Sequence, residues 1–253
     1  MDLVPLFKSH YSIGRSILNL KSPDDVSKDG ADSIIDICVE NDLESFFLVD
    51  DSMSGFLEAY SNAKAHKLKF IFGLRISVCN DLNRKDQESL KEECKYIIFA
   101  RNVSGYERLM KISSQAAKEG FYYQPRTDFK HLDKLWDNED LRLSAPFYDS
   151  FIYKNRLRGS SCSLPPKSYE LDFFIEDNNL PFDDLLASRV REYSENTINT
   201  QSIYYKDKDH FKSYLTFRAI DKRTTLSKPN LDHMGSNEFC FESWKEKNEK
   251  KAS

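Results

Sequence analysis

Residues 95–126, KYIIFARNVSGYERLMKISSQAAKEGFYYQPR, combine two patterns that follow each other directly in the chain. Residues 95–100 form a compact apolar run of the length of a β-strand. The residues after it place Leu109, Met110, Ile112 and Ala116 at helical spacing, which predicts one packed helical face. A strand followed by an amphipathic helix is a βα unit, so this stretch predicts an α/β fold.

The rest of the chain repeats this alternation of strand and helix. Apolar runs of strand length predict strands at residues 3–7, 45–49, 68–78, 95–100, 169–176 and 197–205. Apolar residues at helical spacing predict helices at residues 33–43, 57–66, 183–193 and 211–220. This order favours a mostly parallel sheet or barrel.

Two segments interrupt the alternation. Residues 136–167 are rich in Ser, Pro, Arg and Asn without a sustained period, which predicts an irregular excursion on the surface of the domain. Residues 245–253 are rich in lysine, which predicts a flexible charged tail. We therefore predict one domain over residues 1–244, followed by the tail.

The composition predicts a soluble globular protein. Of the 253 residues 40% are hydrophobic and 31% charged, which is enough for a sizeable core and a well-solvated surface. The net charge of -4 gives no overall attraction to DNA, so we expect DNA contact only indirectly, through a partner. No stretch is long enough to cross a membrane, and the five cysteines lack a C-x-x-C pair, so we expect reduced thiols in the cytoplasm.

Four segments carry a resemblance to a known family. They are the stretch at 100–126, FLVDDSMSGF at 47–56, FIFGLRISV at 70–78 and the stretch at 198–228. In this order they resemble motifs of the PHP domain of bacterial DNA polymerase III alpha subunits. The resemblance covers nearly the whole chain and is weakest at residues 136–167. It implies a distorted (β/α)7 barrel with its site at the C-terminal ends of the strands.

The resemblance also implies what has become of that site. In metal-bearing members of the family, His, Asp and Glu ligands hold up to three divalent ions for phosphoesterase or 3′-5′ exonuclease chemistry. Here Asp50 keeps the family's residue, and most other positions hold residues that bind metal poorly or repel it. The vestigial positions are Leu6, Lys8, Arg15, Asp50, Asp51, Arg75, Lys95, Ser202 and Tyr204. We predict no metal and no cofactor.

Lys8, Arg15, Arg75 and Lys95 bring four positive charges towards the former metal pocket. We expect ion pairs between these cations and the two neighbouring aspartates, Asp50 and Asp51, to replace the metal ions. The alternative for the aspartates is a turn that ends the strand and caps the next helix. The five histidines show no ligand spacing, which favours surface or structural roles.

Two groups of residues predict contacts with a partner. The first group is Tyr122, Tyr123 and Arg126, and the second is Phe239, Phe241 and Trp244. Tyrosine, tryptophan and arginine are enriched at protein interfaces. The alternative is that the aromatic residues fill the core of this domain.

The function predicted from the sequence is that of a non-catalytic module in a DNA replication complex. It would support the catalytic subunit or domain of a DNA polymerase and dock a proofreading exonuclease, either as a fragment or as a piece of a split, phage-encoded replicase. Two alternatives stay open. One is a residual phosphoesterase or 3′-5′ exonuclease with a rearranged metal site around Asp50, Asp51 and Glu176, and the other is a regulator that imitates a polymerase PHP domain.

Overall fold

The computed structural model describes residues 3–27, 29–226 and 235–252. Within these residues the strands in chain order are β1 Val4–Phe7, β2 Ser45–Asp50, β3 Lys69–Val78, β4 Cys94–Ala100, β5 Arg126–Thr127, β6 Leu141–Ala145, β7 Leu171–Ile175 and β8 Thr197–Ile203. The α-helices are α1 Ile34–Glu40, α2 Phe56–Ala65, α3 Gln87–Lys91, α4 Val103–Lys118, α5 Phe129–Leu132, α6 Phe151–Leu157, α7 Asp183–Tyr193, α8 Phe211–Asp221 and α9 Phe241–Ala252. Each strand and helix predicted from the sequence has a counterpart here.

Seven of the strands close into a barrel. Their order is β2-β1-β8-β7-β6-β4-β3, and β3 pairs with β2 to complete the ring. β4 runs antiparallel to both of its neighbours, β3 and β6, whereas the other pairs of the ring are parallel. β5 lies outside the ring and adds two residues to β3. The predicted distorted (β/α)7 barrel is confirmed.

Most residues of β2, β3, β4 and β7 are buried or half-buried on both faces of the strand, which explains the nearly continuous apolar sequences of these four strands. Alternate side chains point to opposite faces of a strand. The inward-pointing side chains form a small cluster in the barrel that contains Leu6, Val49, Ile97, Phe99 and Phe174. Their neighbours in sequence belong to a larger core between the barrel and the helices.

The βα unit at residues 95–126 folds as its sequence predicts, with one exception. Asn102 caps α4 by accepting a hydrogen bond from the backbone N–H of Gly105 at 2.8 Å. Gly105 lies so close to Asp140 that an added Cβ would come within 2.2 Å of its carbonyl oxygen. Leu109, Ile112 and Ala116 are buried, whereas Met110 is 39% exposed and lies beside the packed face.

The predicted irregular excursion at residues 136–167 is wrong for its central part. This part forms β6, which lies between β4 and β7 in the barrel, and then α6. β6 was missed because it is short and alternates in polarity, with Arg142 and Ser144 between its apolar residues. The helix begins at a side-chain cap, Ser150, which accepts a hydrogen bond from the backbone N–H of Tyr153.

The segment predicted to be a flexible charged tail continues α9 as far as Ala252. The indole N–H of Trp244 donates to the carbonyl oxygen of Leu3 at 2.7 Å, so the helix is held against the start of β1. Ser227 and Lys228, at the end of the last matching segment, and Ser253 of the predicted tail lie outside the described residues. In the described part of the chain, no helix is long and apolar enough to cross a membrane.

Candidate functional site

The residues at the vestigial positions meet at one end of the barrel. Lys8 and Asp51 directly follow β1 and β2, and Tyr204 directly follows β8. Lys95 stands near the start of β4, which reaches the same end because β4 is antiparallel. A cavity of about 40 Å³ opens there. Its lining includes Leu6, Phe7, Lys8, Arg15, Val49, Arg75, Ile97, Pro146, Tyr148, Asp149, Phe174, Glu176, Ser202 and Tyr204.

Arg75 is the centre of an ion-pair network at this end. Its guanidinium donates to Asp51 at 3.1 Å and to Asp149 at 2.8 Å, and Lys8 lies 3.3 Å from the same Asp51 oxygen. Burial alone raises the pKa of Asp51, but the positive charges of Lys8 and Arg75 outweigh it and hold that pKa well below its ordinary value. Burial opposes the charge of Arg75, and the two aspartates still raise its pKa. The predicted ion pairs are therefore present for Asp51.

Asp50 takes a different role from the predicted one. Its carboxylate is buried and accepts hydrogen bonds from the backbone N–H of Ser9 at 2.9 Å, the Ser9 hydroxyl at 2.5 Å and the Ser12 hydroxyl at 2.8 Å. Burial raises its pKa, although the Lys8 charge and these hydrogen bonds act in the opposite direction. Asp50 thus fixes the loop after β1, and the cations pair with its neighbour Asp51 instead.

Asp149 is a residue of this site that the sequence did not reveal. It lies between β6 and α6, in the segment predicted to be irregular, and its backbone adopts a φ of 64°. Its carboxylate pairs with Arg75, and its carbonyl oxygen accepts a hydrogen bond from the backbone N–H of Lys95 at 2.8 Å. In the sequence, its position directly before the helix-capping Ser150 was the one feature that could have drawn attention to it.

Lys95 is held by polar groups and lies near two other cations. Its ammonium donates hydrogen bonds to the Ser77 hydroxyl and, at 3.0 Å, to the Gln124 side-chain oxygen. Burial lowers the pKa of Lys95 to about 8, and the positive charges of Arg75 and Arg15 act in the same direction.

The carboxylate of Glu176, just after β7, is also engaged. It accepts hydrogen bonds from the backbone N–H of Ser202 at 3.0 Å, from the Ser202 hydroxyl at 2.7 Å and from the Asn178 amide at 2.8 Å. Burial raises its pKa. Among the described residues, no group of three or more His, Cys, Asp or Glu side chains is placed to hold a metal ion.

The predicted partner residues are mostly inside the domain. Phe239, Phe241 and Trp244 are 0%, 4% and 7% exposed, so the prediction that these side chains contact a partner is corrected to a role in the domain's own core. Arg126 is fully buried too, and its guanidinium donates to the backbone carbonyls of Gly120 and Arg84. Tyr123, in contrast, is 74% exposed and remains available for a partner.

The closed barrel, with its polar cluster at the carboxyl ends of the strands, has the architecture of an α/β barrel with a site at that end. The chain belongs to the PHP domain family, which it matches over residues 21–160. It is 24% identical over 242 residues to the DNA polymerase III subunit alpha of Campylobacter jejuni, an alignment that covers 85% of this chain and 20% of that protein.

Two further relatives have the same printed name. The DNA polymerase III subunit alpha of Borreliella burgdorferi is 25% identical over 236 residues, with 86% of this chain and 20% of that protein covered. The subunit of Helicobacter pylori strain 26695 is 40% identical over 81 residues, 32% of this chain and 7% of that protein. The chain thus spans about a fifth or less of the length of these relatives.

Replacing Arg75 should destabilise the fold more than a surface substitution does. We expect Arg75→Met to lower the free energy of unfolding by about 3 kcal/mol, because Asp51 and Asp149 then face each other without their shared counterion. The measurement is urea unfolding near pH 7. Arg189→Met is the matched control, since Arg189 pairs with Glu192 on the surface of α7 and its loss should change stability by less than about 1 kcal/mol. Equal losses for both variants would show that the network does not hold the barrel end together.

The pKa of Lys95 predicts a pH dependence of stability. Between pH 8 and about 10.4, the ordinary lysine value, the folded state binds fewer protons at Lys95 than the unfolded state does. The wild type should therefore gain stability relative to Lys95→Met as the pH rises through this window, by at most about 1.4 kcal/mol per pH unit. Urea unfolding of both proteins at several pH values measures the difference. The difference in stability between the wild type and Lys91→Met, a substitution at an exposed site, should not change with pH. A flat difference for Lys95→Met would contradict the lowered pKa.

Proposed function

We propose that this chain is a non-catalytic PHP domain that gives structural support to a replicative DNA polymerase of the polymerase III alpha type. The observation that carries the proposal is the ion-pair network in which Arg75 and Lys8 occupy the positions of metal ligands and bind Asp51. Arg75 and Lys8 supply to Asp51 the positive charge that a divalent cation would otherwise supply.

Electrostatics support the loss of metal chemistry. A protonated lysine or arginine repels a divalent cation, and Lys8 and Arg75 are within hydrogen-bonding distance of Asp51. The other two carboxylates of the hypothetical rearranged site, Asp50 and Glu176, accept hydrogen bonds from Ser9, Ser12, Ser202 and Asn178. These observations disfavour the residual phosphoesterase.

The supporting role rests on the contrast between an intact barrel and a replaced site. The chain covers only part of relatives that are named as polymerase subunits, so its contribution is that of one domain to a larger assembly. Docking of a proofreading exonuclease belongs to the same proposal, and the exposed aromatic residues Phe121 and Tyr123 offer a contact surface for either partner. Contact with DNA would be indirect because the chain carries a net charge of -4.

The absence of metal chemistry is tested first. Protein stripped with a chelator, exposed to Mn²⁺, Zn²⁺ or Fe²⁺ and dialysed should retain no stoichiometric metal by elemental analysis, and it should show no nuclease or phosphatase activity with these ions. Two or more tightly bound ions per chain would refute the proposal. Any residual activity is compared with that of an Asp50→Asn, Glu176→Gln variant. Activity lost in this variant would favour the rearranged metal site, whereas unchanged activity would identify a contaminant.

The supporting role is tested by affinity purification from the native source. Tagged wild-type chain should recover the catalytic portion of a polymerase III alpha type polymerase, identified by mass spectrometry. A Phe121→Ser, Tyr123→Ser variant should recover several-fold less, because both side chains are exposed and their loss leaves the core intact. Leu57→Ser, at an equally exposed apolar position on α2, is the matched control. Recovery of no replication protein by the wild type would remove the support for this role.

A further inference from the structure

The pocket at the carboxyl end of the barrel contains cations and carboxylates, and not all of them are paired. Three cationic side chains line it, Lys8, Arg15 and Arg75, and Lys95 lies near Arg75. Two carboxylates, those of Asp51 and Asp149, pair with Arg75, and Lys8 shares Asp51. The remaining carboxylates, Asp50 and Glu176, are buried among hydrogen-bond donors, and burial raises the pKa of each. Burial lowers the pKa of Lys8 and of Lys95 in turn. Among the described residues, Arg15 and Lys95 form no ion pair with a carboxylate.

Arg15 is the cation of this pocket for which the described residues supply neither an ion pair nor a side-chain hydrogen bond. It lies in the loop after β1, and its backbone N–H donates to the carbonyl oxygen of Ser12 at 2.9 Å. This loop is fixed because Ser9 and Ser12 bind Asp50. Lys95 also lacks an ion pair, but two neutral side chains accept hydrogen bonds from its ammonium. The Arg15 guanidinium thus lines the cavity without a carboxylate of the described residues at ion-pair distance.

We propose that this pocket binds a single carboxylate, presented by an acidic segment of a partner polypeptide. Arg15 is the principal donor to the carboxylate, and Arg75 and Lys8 contribute positive charge from the floor of the pocket. An arginine guanidinium offers paired N–H donors that match the two oxygens of a carboxylate. This inference rests on the proposed function because it requires a pocket without metal ions.

Two features of the pocket favour a carboxylate over a phosphate group. The first is charge, because Asp51 and Asp149 remain near the pocket and repel a dianion more strongly than a monoanion. The second is the lining, because its apolar side chains, among them Leu6, Val49 and Phe174, suit the methylene groups of an acidic side chain.

The experiment follows the side-chain Nε–Hε signal of Arg15 by NMR in ¹⁵N-labelled protein. N-acetyl-glutamate α-amide is titrated at constant ionic strength, and N-acetyl-glutamine amide and inorganic phosphate are titrated in parallel. We expect a saturable shift with the glutamate compound, at least about tenfold weaker binding of phosphate, and no shift with the glutamine compound. The Arg15→Gln variant, followed by the NMR signals of other pocket residues, should bind the glutamate compound about tenfold more weakly than the wild type does. Arg189→Gln, on the surface of α7, should leave the affinity for this compound unchanged.

Each contrary result has a definite meaning. Phosphate that binds as tightly as the glutamate compound would overturn the proposal in favour of a nucleotide or nucleic-acid ligand. A lack of saturable binding, or equal binding by the Arg15→Gln variant, would overturn it as well. All titrations are repeated with a chelator and with Mn²⁺. Binding that requires Mn²⁺ would refute both this inference and the non-catalytic function, whereas no binding under either condition would refute the inference alone.

Discussion

The ion pairs around Arg75 are the interaction on which the barrel end depends. Arg75 belongs to β3, Asp51 and Lys8 follow β2 and β1, and Asp149 lies between β6 and α6. One guanidinium therefore connects the loop after β2 with the loop after β6, a strand that β4 separates from β3 in the ring. Partly buried charges in a low-dielectric environment interact strongly, and the removal of one member leaves the others without compensation. The network links the loops at the carboxyl ends of the parallel strands, beyond the last hydrogen bonds between the strands.

Further hydrogen bonds extend this organisation from the pocket to the C-terminal helix. Glu176 accepts from Asn178, whose amide oxygen accepts from Gln201 at 2.5 Å. The oxygen of Gln201 in turn accepts from Lys247 of α9 at 3.1 Å. The polar groups of the pocket and the lysine-rich helix are therefore joined by one chain of hydrogen bonds. Together with the buried side chains of Phe241 and Trp244, these bonds hold α9 against the barrel.

Much of the fold and the principle of the site could be predicted from the sequence, and the exceptions have physical causes. Several strands could be predicted from continuous apolar runs because both faces of these barrel strands are buried. The helices could be predicted from apolar residues at helical spacing, since each helix buries one face. β6 and Asp149 were missed because a short strand with polar residues between apolar ones gives a weak periodic signal. The burial of Arg126, Phe239 and Trp244 depends on tertiary contacts between distant segments, which no local pattern encodes. The pairing of Asp51 rather than Asp50 with the cations follows from side-chain direction at the end of β2, because Asp50 turns to the serines of the loop after β1.

The same network disfavours the construction of a metal site by single substitutions. An acidic residue in place of Arg75 would leave the carboxylates of Asp51 and Asp149 close to a third one, with Lys8 as their nearest remaining counterion. A Lys8 replacement alone would leave Arg75 in the position where a cation would have to bind. Residues in one charge network do not contribute additively, so each single change loses an existing partner before a metal ion can replace it. The ion pairs therefore act as a constraint on the sequence, because the barrel end stays stable only while the cations and aspartates are kept together.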